Sequence, residues 1–316
     1  MFPYVKKKQI EPISLKEHFL RRNKVLIKRK YGGHGDIIMQ RMMFEDFQKH
    51  MPEIELTYTC PKLYKDFANN HPFAKWVPIE EINERDYGII FDISTACRVH
   101  ESKMGGRNTD HRSDIWAKSC GVELTNHNCH MEINDVDLYK KFIEELNPQK
   151  LPTVLFATQS TKDNFGQAKS LPEKTTYQTI SKLKELGFFV FTIHKEPIEI
   201  FTLTNTVQFI NIELSAWAGL TAAADYVISI DTGTFHLAGA LKKPLVGIFS
   251  FTDGKVYGKY YKFTLVQRHR DNGNWDCGPC YNCTICPKSK EIIKPCMSDI
   301  RFEEIIDAFQ KECKAN

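Results

Sequence analysis

The sequence predicts an α/β protein built as two similar halves with a cleft between them, and three observations predict it. The 316 residues suffice for two substantial cores, at an ordinary 42% apolar content. Short apolar runs alternate with helical segments on both sides of one proline-containing linker at 147–152. Residues 226–250, YVISIDTGTFHLAGALKKPLVGIFS, read as strand, polar turn, short helix and strand. A right-handed βαβ unit of that kind puts its turn at the carboxyl end of a parallel strand, where α/β folds bind ligands.

The elements follow in order. Residues 24–29 (KVLIKR) read as the first strand, then the glycine-rich KYGGHGD turn leads into a helix carrying Ile37, Ile38, Met42, Met43 and Phe47, and 55–59 closes the unit as a strand. Gly32, Gly33 and Gly35 allow positive φ and close backbone approach, leaving Asp36 at the helix N-terminus, where a carboxylate can also simply cap the helix. GGHGD lacks the G-x-G-x-x-G spacing of a dinucleotide site. Further strands are expected at 74–77 and 88–93.

Residues 97–112 (CRVHESKMGGRNTDHR) are too hydrophilic for core and read as a mobile loop over the strand ends, with His100, Lys103, Arg107 and Arg112 as contacts for an anionic acceptor or as solvated loop residues. A helix at 135–143 precedes the linker, so the halves are set at 1–147 and 148–316. In the second half, strand 153–157, helix 173–186 ending at Gly187, strand 188–193, strand 206–210 and helix 215–224 lead to the βαβ unit, and an amphipathic helix at 302–313 ends the chain.

The net charge of +4 falls short of the basic bias that marks a nucleic-acid binder. The excess is local: Lys6, Lys7, Lys8, Arg21, Arg22, Lys24, Lys28, Arg29 and Lys30 form a basic front end, either a solvated edge or a contact for a polyanionic acceptor or anionic membrane surface. No segment resembles a signal peptide or approaches the ~20 apolar residues of a membrane span, so a cytoplasmic protein is expected.

Three segments together resemble glycosyltransferase family nine, the heptosyltransferase family of the GT-B superfamily: Gly35-Asp36-Ile37-Ile38, Lys169-x-x-Pro172, and Asp231-Thr232-Gly233-x-x-His236-Leu237. The resemblance implies a GT-B fold of two facing Rossmann-like domains and an inverting, metal-independent transfer from a nucleotide-sugar donor (ADP-heptose-like) to an acceptor hydroxyl. The acceptor half is the first, with Asp36 as general base and Gly33, His34, Gly35, Arg107 and Arg112 around it. The donor half is the second, with Lys169, Asp231, Thr232, Gly233, Thr234 and His236 at the pyrophosphate. Structural alternatives stand beside each: Asp231 as a helix cap, His236 as a core histidine, Lys169 as a surface lysine. The loop 158–168 departs from the usual pattern, leaving a carbohydrate, a protein hydroxyl or a hydroxymethylated base in DNA as acceptor. A module that binds nucleotide sugar or nucleic acid without catalysis is the other class of reading.

Of ten cysteines, Cys60, Cys97, Cys120, Cys129 and Cys313 are scattered and read as small buried apolar residues. Cys277, Cys280, Cys283 and Cys286 repeat at C-x-x-C spacing, with Cys296 nearby. That pattern suits structural zinc or iron, with one thiol spare, the alternative being a set of reduced cysteines and incidental disulfides. An iron-binding cysteine finger at this point is also implied by the resemblance, for one branch of the family. No catalytic cofactor is expected.

Overall fold

The structure, a computed structural model, describes residues 21–160, 164–268, 277–281, 283, 285–292 and 294–315. Of the basic front end, Lys6, Lys7 and Lys8 lie outside them.

The first half is built on β1 (Lys24–Lys28), β2 (Glu55–Cys60), β3 (Lys75–Pro78) and β4 (Ile89–Asp92), all parallel in the order β3-β2-β1-β4. Helix α1 (His34–Gln40) passes through a 3₁₀ turn into α2 (Phe44–His50), and α3 (Lys65–Ala68) follows β2. The apolar stripe predicted for α1 and α2 is buried: Ile37, Ile38, Met42, Met43 and Phe47 are fully enclosed against Val25 and Ile27 of β1. Each such side chain stabilises the fold by roughly 1.5–3 kcal/mol relative to exposure.

The second half carries six parallel strands, β5 (Thr153–Ala157), β6 (Phe189–His194), β7 (Val207–Ile210), β8 (Tyr226–Ile230), β9 (Leu245–Phe249) and β10 (Thr264–Gln267), ordered β10-β9-β8-β5-β6-β7. β5, β8 and β9 are buried almost throughout, as parallel strands covered on both faces must be.

In each sheet the chain runs outward on one side of the central strand and then crosses to the other. The crossings fall between β1 and β4 and between β5 and β8. Those switch points open a crevice at the carboxyl ends of the strands. One crevice holds the turn containing Gly33 to Asp36; the other holds 231–234.

Helix α6 (Val136–Leu146), just before the linker, packs on α10 (Leu214–Ala223) of the second half, with Tyr139 against Gly219 and Ile143 in that half's core. The remaining helices are α7 (Asn164–Gln167), α8 (Glu173–Glu185), α9 (Glu199–Leu203), α11 (Gly233–Ala240), α12 (Gly254–Tyr257), α13 (Pro295–Ser298) and α14 (Phe302–Ala315). No helix among the described residues is long and apolar enough to cross a membrane.

One expectation fails outright. Residues 97–112 are not a mobile loop: α4 (Ala96–Met104) and a 3₁₀ turn (Gly105–Arg107) lead to α5 (Arg112–Ser119). Glu101, Asn108 and His111 are almost wholly buried. The segment is polar because it buries a polar network rather than an apolar stripe, and hydrophobic periodicity cannot register that.

Candidate active site between the two halves

The two strand-end turns meet. Helix α1 packs directly against α11, so the N-terminal ends of the two helices face each other. Gly35 has an ordinary negative φ; among the glycines of this turn only Gly32, at φ 140°, is in the region that favours glycine. Gly35 is needed for space, because a Cβ there would overlap the imidazole of His236. Gly233 is similarly enclosed, its notional Cβ 2.7 Å from Trp217 and 3.1 Å from the Cβ of His34. A Gly35→Ala variant should lose about 1–3 kcal/mol of stability through overpacking, checked by thermal denaturation.

Asp36 occupies the third position of α1 and Gly33 its N-cap. Its Oδ2 accepts from the Gly33 N–H at 3.1 Å and from Arg29 Nη2 at 2.9 Å, and its Oδ1 accepts from Arg112 Nη1 at 2.6 Å. The capping role is therefore real and coexists with an ion-pair site. Burial pushes the carboxyl pKa up, but the Arg112 and Arg29 guanidiniums outweigh it and hold the group well below the usual carboxylate range. Each carboxylate oxygen has two acceptor sites; Oδ2 is saturated and Oδ1 keeps one. Arg29 lies over Trp116 at 4.5 Å and Arg112 over Tyr257 at 4.8 Å, so both cations are fixed by aromatic faces.

Asp231 does not cap α11, whose N-cap is Thr232. Its Oδ2 pairs with Lys169 Nζ at 2.8 Å and accepts from Thr252 Oγ1 at 2.8 Å; His236 Nε2 lies 3.8 Å from Oδ1. Burial again opposes ionisation, and the Lys169 charge followed by His236 overcomes it, keeping the carboxyl far below its ordinary value. The expected partners Lys169, Asp231 and His236 are thus brought together. Nδ1 of His236 is buried without a hydrogen-bond partner. The N–H groups of Gly233, Thr234 and Phe235 open α11 with no preceding helical carbonyl to bond, an arrangement that suits phosphate.

Beside this turn a cavity of about 730 Å³ is lined by Thr232, Gly233 and Thr234, by the apolar Ile193, Pro197, Ile198 and Trp217, and by the carboxylates Glu196 and Glu199. His34 and His194 also line it, with pKa values lowered to about 4, by burial and then Lys195 for His34 and by burial for His194, so both rings are neutral near pH 7. None of the 193–199 residues was singled out from sequence, since a pocket wall of this kind has no spacing signature. Arg107 is exposed and has no contact with Asp36, whereas Arg29, Glu101 and Tyr257, unforeseen, form part of the buried network.

Four of the clustered cysteines, Cys277, Cys280, Cys286 and Cys296, line one small cavity with Phe251 and Lys294, and Cys283 is exposed outside it. Lys294 is fully buried there, its ammonium 4.8 Å from the Phe251 ring and without a hydrogen-bond partner among the described residues. Among the described residues no three ligating side chains converge closely enough to hold an ion. The donor set still fits a metal chemically, because four thiolates around a divalent cation carry net negative charge and Lys294 would offset part of it. No described cysteine is in a disulfide; of the five scattered ones Cys60, Cys97, Cys120 and Cys129 are buried as expected, and Cys313 only half-buried.

The two facing α/β halves define the class: the fold is GT-B. Three solved structures share it at identities that speak to fold alone: iron-containing dodecameric glycosyltransferase TibC of enterotoxigenic E. coli (TM-score 0.69, 18% identity, 93% of this chain and 80% of that one), a family 9 glycosyltransferase of Veillonella parvula (0.64, 14%, 94% and 99%), and E. coli ADP-heptose lps heptosyltransferase II (0.60, 12%, 93% and 99%). The family described as glycosyltransferase family 9 (heptosyltransferase) matches residues 211–280, which include the whole 231–237 motif. Lipopolysaccharide heptosyltransferase 1 of Escherichia coli K12 is 24% identical over 178 residues, 54% of this chain and 53% of that protein. The chain spans about half the length of the curated relatives it matches. Over these stretches the chain is similar to the heptosyltransferases of glycosyltransferase family 9.

Proposed function

We propose that this protein is an inverting glycosyltransferase that moves a sugar from a nucleoside-diphosphate donor to an acceptor hydroxyl, with Asp36 as general base. The observation that carries this reading is the meeting of two helix N-termini: one bears a buried carboxylate with a single open acceptor site, the other offers unpaired N–H groups beside a nucleoside-sized cavity. The acceptor hydroxyl approaches Oδ1 of Asp36 and gives up its proton as its oxygen attacks the anomeric carbon from the face opposite the leaving group. General-base catalysis of this kind contributes on the order of 10²–10⁴ in rate.

The developing charge on the leaving pyrophosphate is met by the α11 N-terminus, the hydroxyls of Thr232 and Thr234, Lys169 and the Nδ1 side of His236, without a catalytic metal. Ile193, Pro197 and Ile198 supply an apolar wall for the base, and Glu196 or Glu199 an acceptor for ribose hydroxyls. An ADP-heptose-like donor is favoured because TibC, which shares the fold, has been solved in complex with ADP-D-beta-D-heptose. A lipopolysaccharide core sugar, a protein hydroxyl and a hydroxymethylated base remain the acceptor classes, with the basic front end as a peripheral contact for an anionic surface and the cytoplasm as the site of action. A thermal-shift screen of ADP-, GDP- and UDP-sugars tests the donor: stabilisation by ADP-heptose above the others is expected. Binding without transfer or hydrolysis, unchanged in Asp36→Ala, would instead favour a non-catalytic binding module.

Cys277, Cys280, Cys286 and Cys296 would hold structural zinc or iron, leaving Cys283 as the spare thiol. Protein purified without added metal should contain close to one equivalent; less than about a tenth by elemental analysis removes the site.

A further inference from the structure

The Asp36 network does not end in the first half. Arg112 spans two carboxylates: Nη1 donates to Asp36, while Nε and Nη2 donate to the two oxygens of Glu101 at 2.7 and 2.9 Å. Glu101 is 1% exposed and reaches from α4 toward the second half, where the Tyr257 hydroxyl donates to its Oε1 at 3.0 Å. Tyr257 is itself enclosed: its carbonyl accepts from Nε2 of His111 at 3.1 Å and its ring lies 5.8 Å from that of Tyr281. A continuous buried chain therefore runs Tyr257, Glu101, Arg112, Asp36, crossing from the half that binds donor to the half that carries the base.

Its physical consequence follows from charge. Arg112 alone would be free to turn its fork onto both oxygens of Asp36 and close the site to an acceptor. Glu101 takes two of the donors of Arg112 and balances its charge, and Tyr257 fixes the oxygen that accepts from Nε. We infer that Glu101 and Tyr257 are positioning residues for the transfer reaction, holding Arg112 in the one orientation that keeps Asp36 ionised and its Oδ1 open to the acceptor, and that they do so only while the two halves are docked. The inference rests on the proposed role of Asp36.

The test uses the full chain and the release of ADP from ADP-heptose, with wild type, Asp36→Asn, Glu101→Gln, Tyr257→Phe and the Glu101→Gln/Tyr257→Phe pair. Tyr257→Phe keeps the ring and removes only the hydroxyl, so it guards against a variant that does not fold. Glu101→Gln should lower kcat about tenfold to a hundredfold and Tyr257→Phe about fivefold, with ADP affinity unchanged. The pair should lose no more than Glu101→Gln alone, because both act through one contact. Wild-type kcat in both single variants with an inactive Asp36→Asn overturns this inference and spares the role of Asp36. Loss of ADP affinity in step with kcat, or additive losses in the pair, also overturns it, since the residues would then only support the fold. Equal turnover by wild type and Asp36→Asn, or none by wild type, overturns the reading of the base and the inference with it.

Discussion

Replacing Asp36 by asparagine is expected to lower kcat by about 10²–10⁴-fold while leaving donor affinity near that of the wild type. The amide keeps the size of the side chain and one oxygen, so the N-cap contact to Gly33 survives in part, but it cannot take a proton. The donor-side groups, Thr232 to Thr234, Lys169 and His236, belong to the other helix and to the loop before α8, and the substitution does not touch them. Steady-state kinetics of ADP release with ADP binding in parallel separates the two effects. A matched loss of affinity would mean that Asp36 chiefly holds the two halves together. Stability should also fall, because Arg29 and Arg112 lose the carboxylate that neutralises them in a buried site.

Arg41→Ala is expected to cost about 3–5 kcal/mol of stability, the largest structural loss of any single side chain proposed for substitution. Arg41 is 1% exposed and forms no salt bridge among the described residues; its guanidinium donates to the carbonyls of Cys129 (2.7 Å), Phe67 and Asn69 (both 2.9 Å), Asn70 (3.5 Å) and His130 (2.5 Å). Burial pulls its pKa down to about 10, still far above physiological pH, so the cation persists, hydrogen-bonded to backbone carbonyls. Truncation would strand those carbonyls and release two loops from the back of α1 and α2. A melting temperature lower by about 10 °C, with kcat unchanged below the transition, is the expected pattern. Arg41→Lys should recover little, because three donors on one nitrogen cannot span carbonyls from separate loops.

Much of the fold was legible because parallel strands and amphipathic helices leave period and punctuation in sequence. The expected strands at 24–29, 153–157 and 226–230 and the helices at 173–186 and 215–224 lie within a residue or so of the observed elements. What stayed hidden was polar and non-local. Residues 97–112 looked like loop since Glu101, Asn108 and His111 are buried against partners far away in sequence, and no window contains both ends of an Arg112–Asp36 or Tyr257–Glu101 bond. The glycines of the first turn announced themselves, and the two expected reasons fall on different residues: Gly32 takes the positive φ, while Gly35 makes room for His236. The motif residues Lys169, Asp231 and His236 did come together, which the resemblance implied and spacing alone could not.

The most direct test of single-step displacement with Asp36 as base is the anomeric configuration of the first product. Incubating the protein with a β-configured ADP-heptose and following release by NMR, before the free sugar equilibrates, should show the α-anomer forming first and none in Asp36→Asn. Initial formation of the β-anomer would require a double displacement and contradict the mechanism.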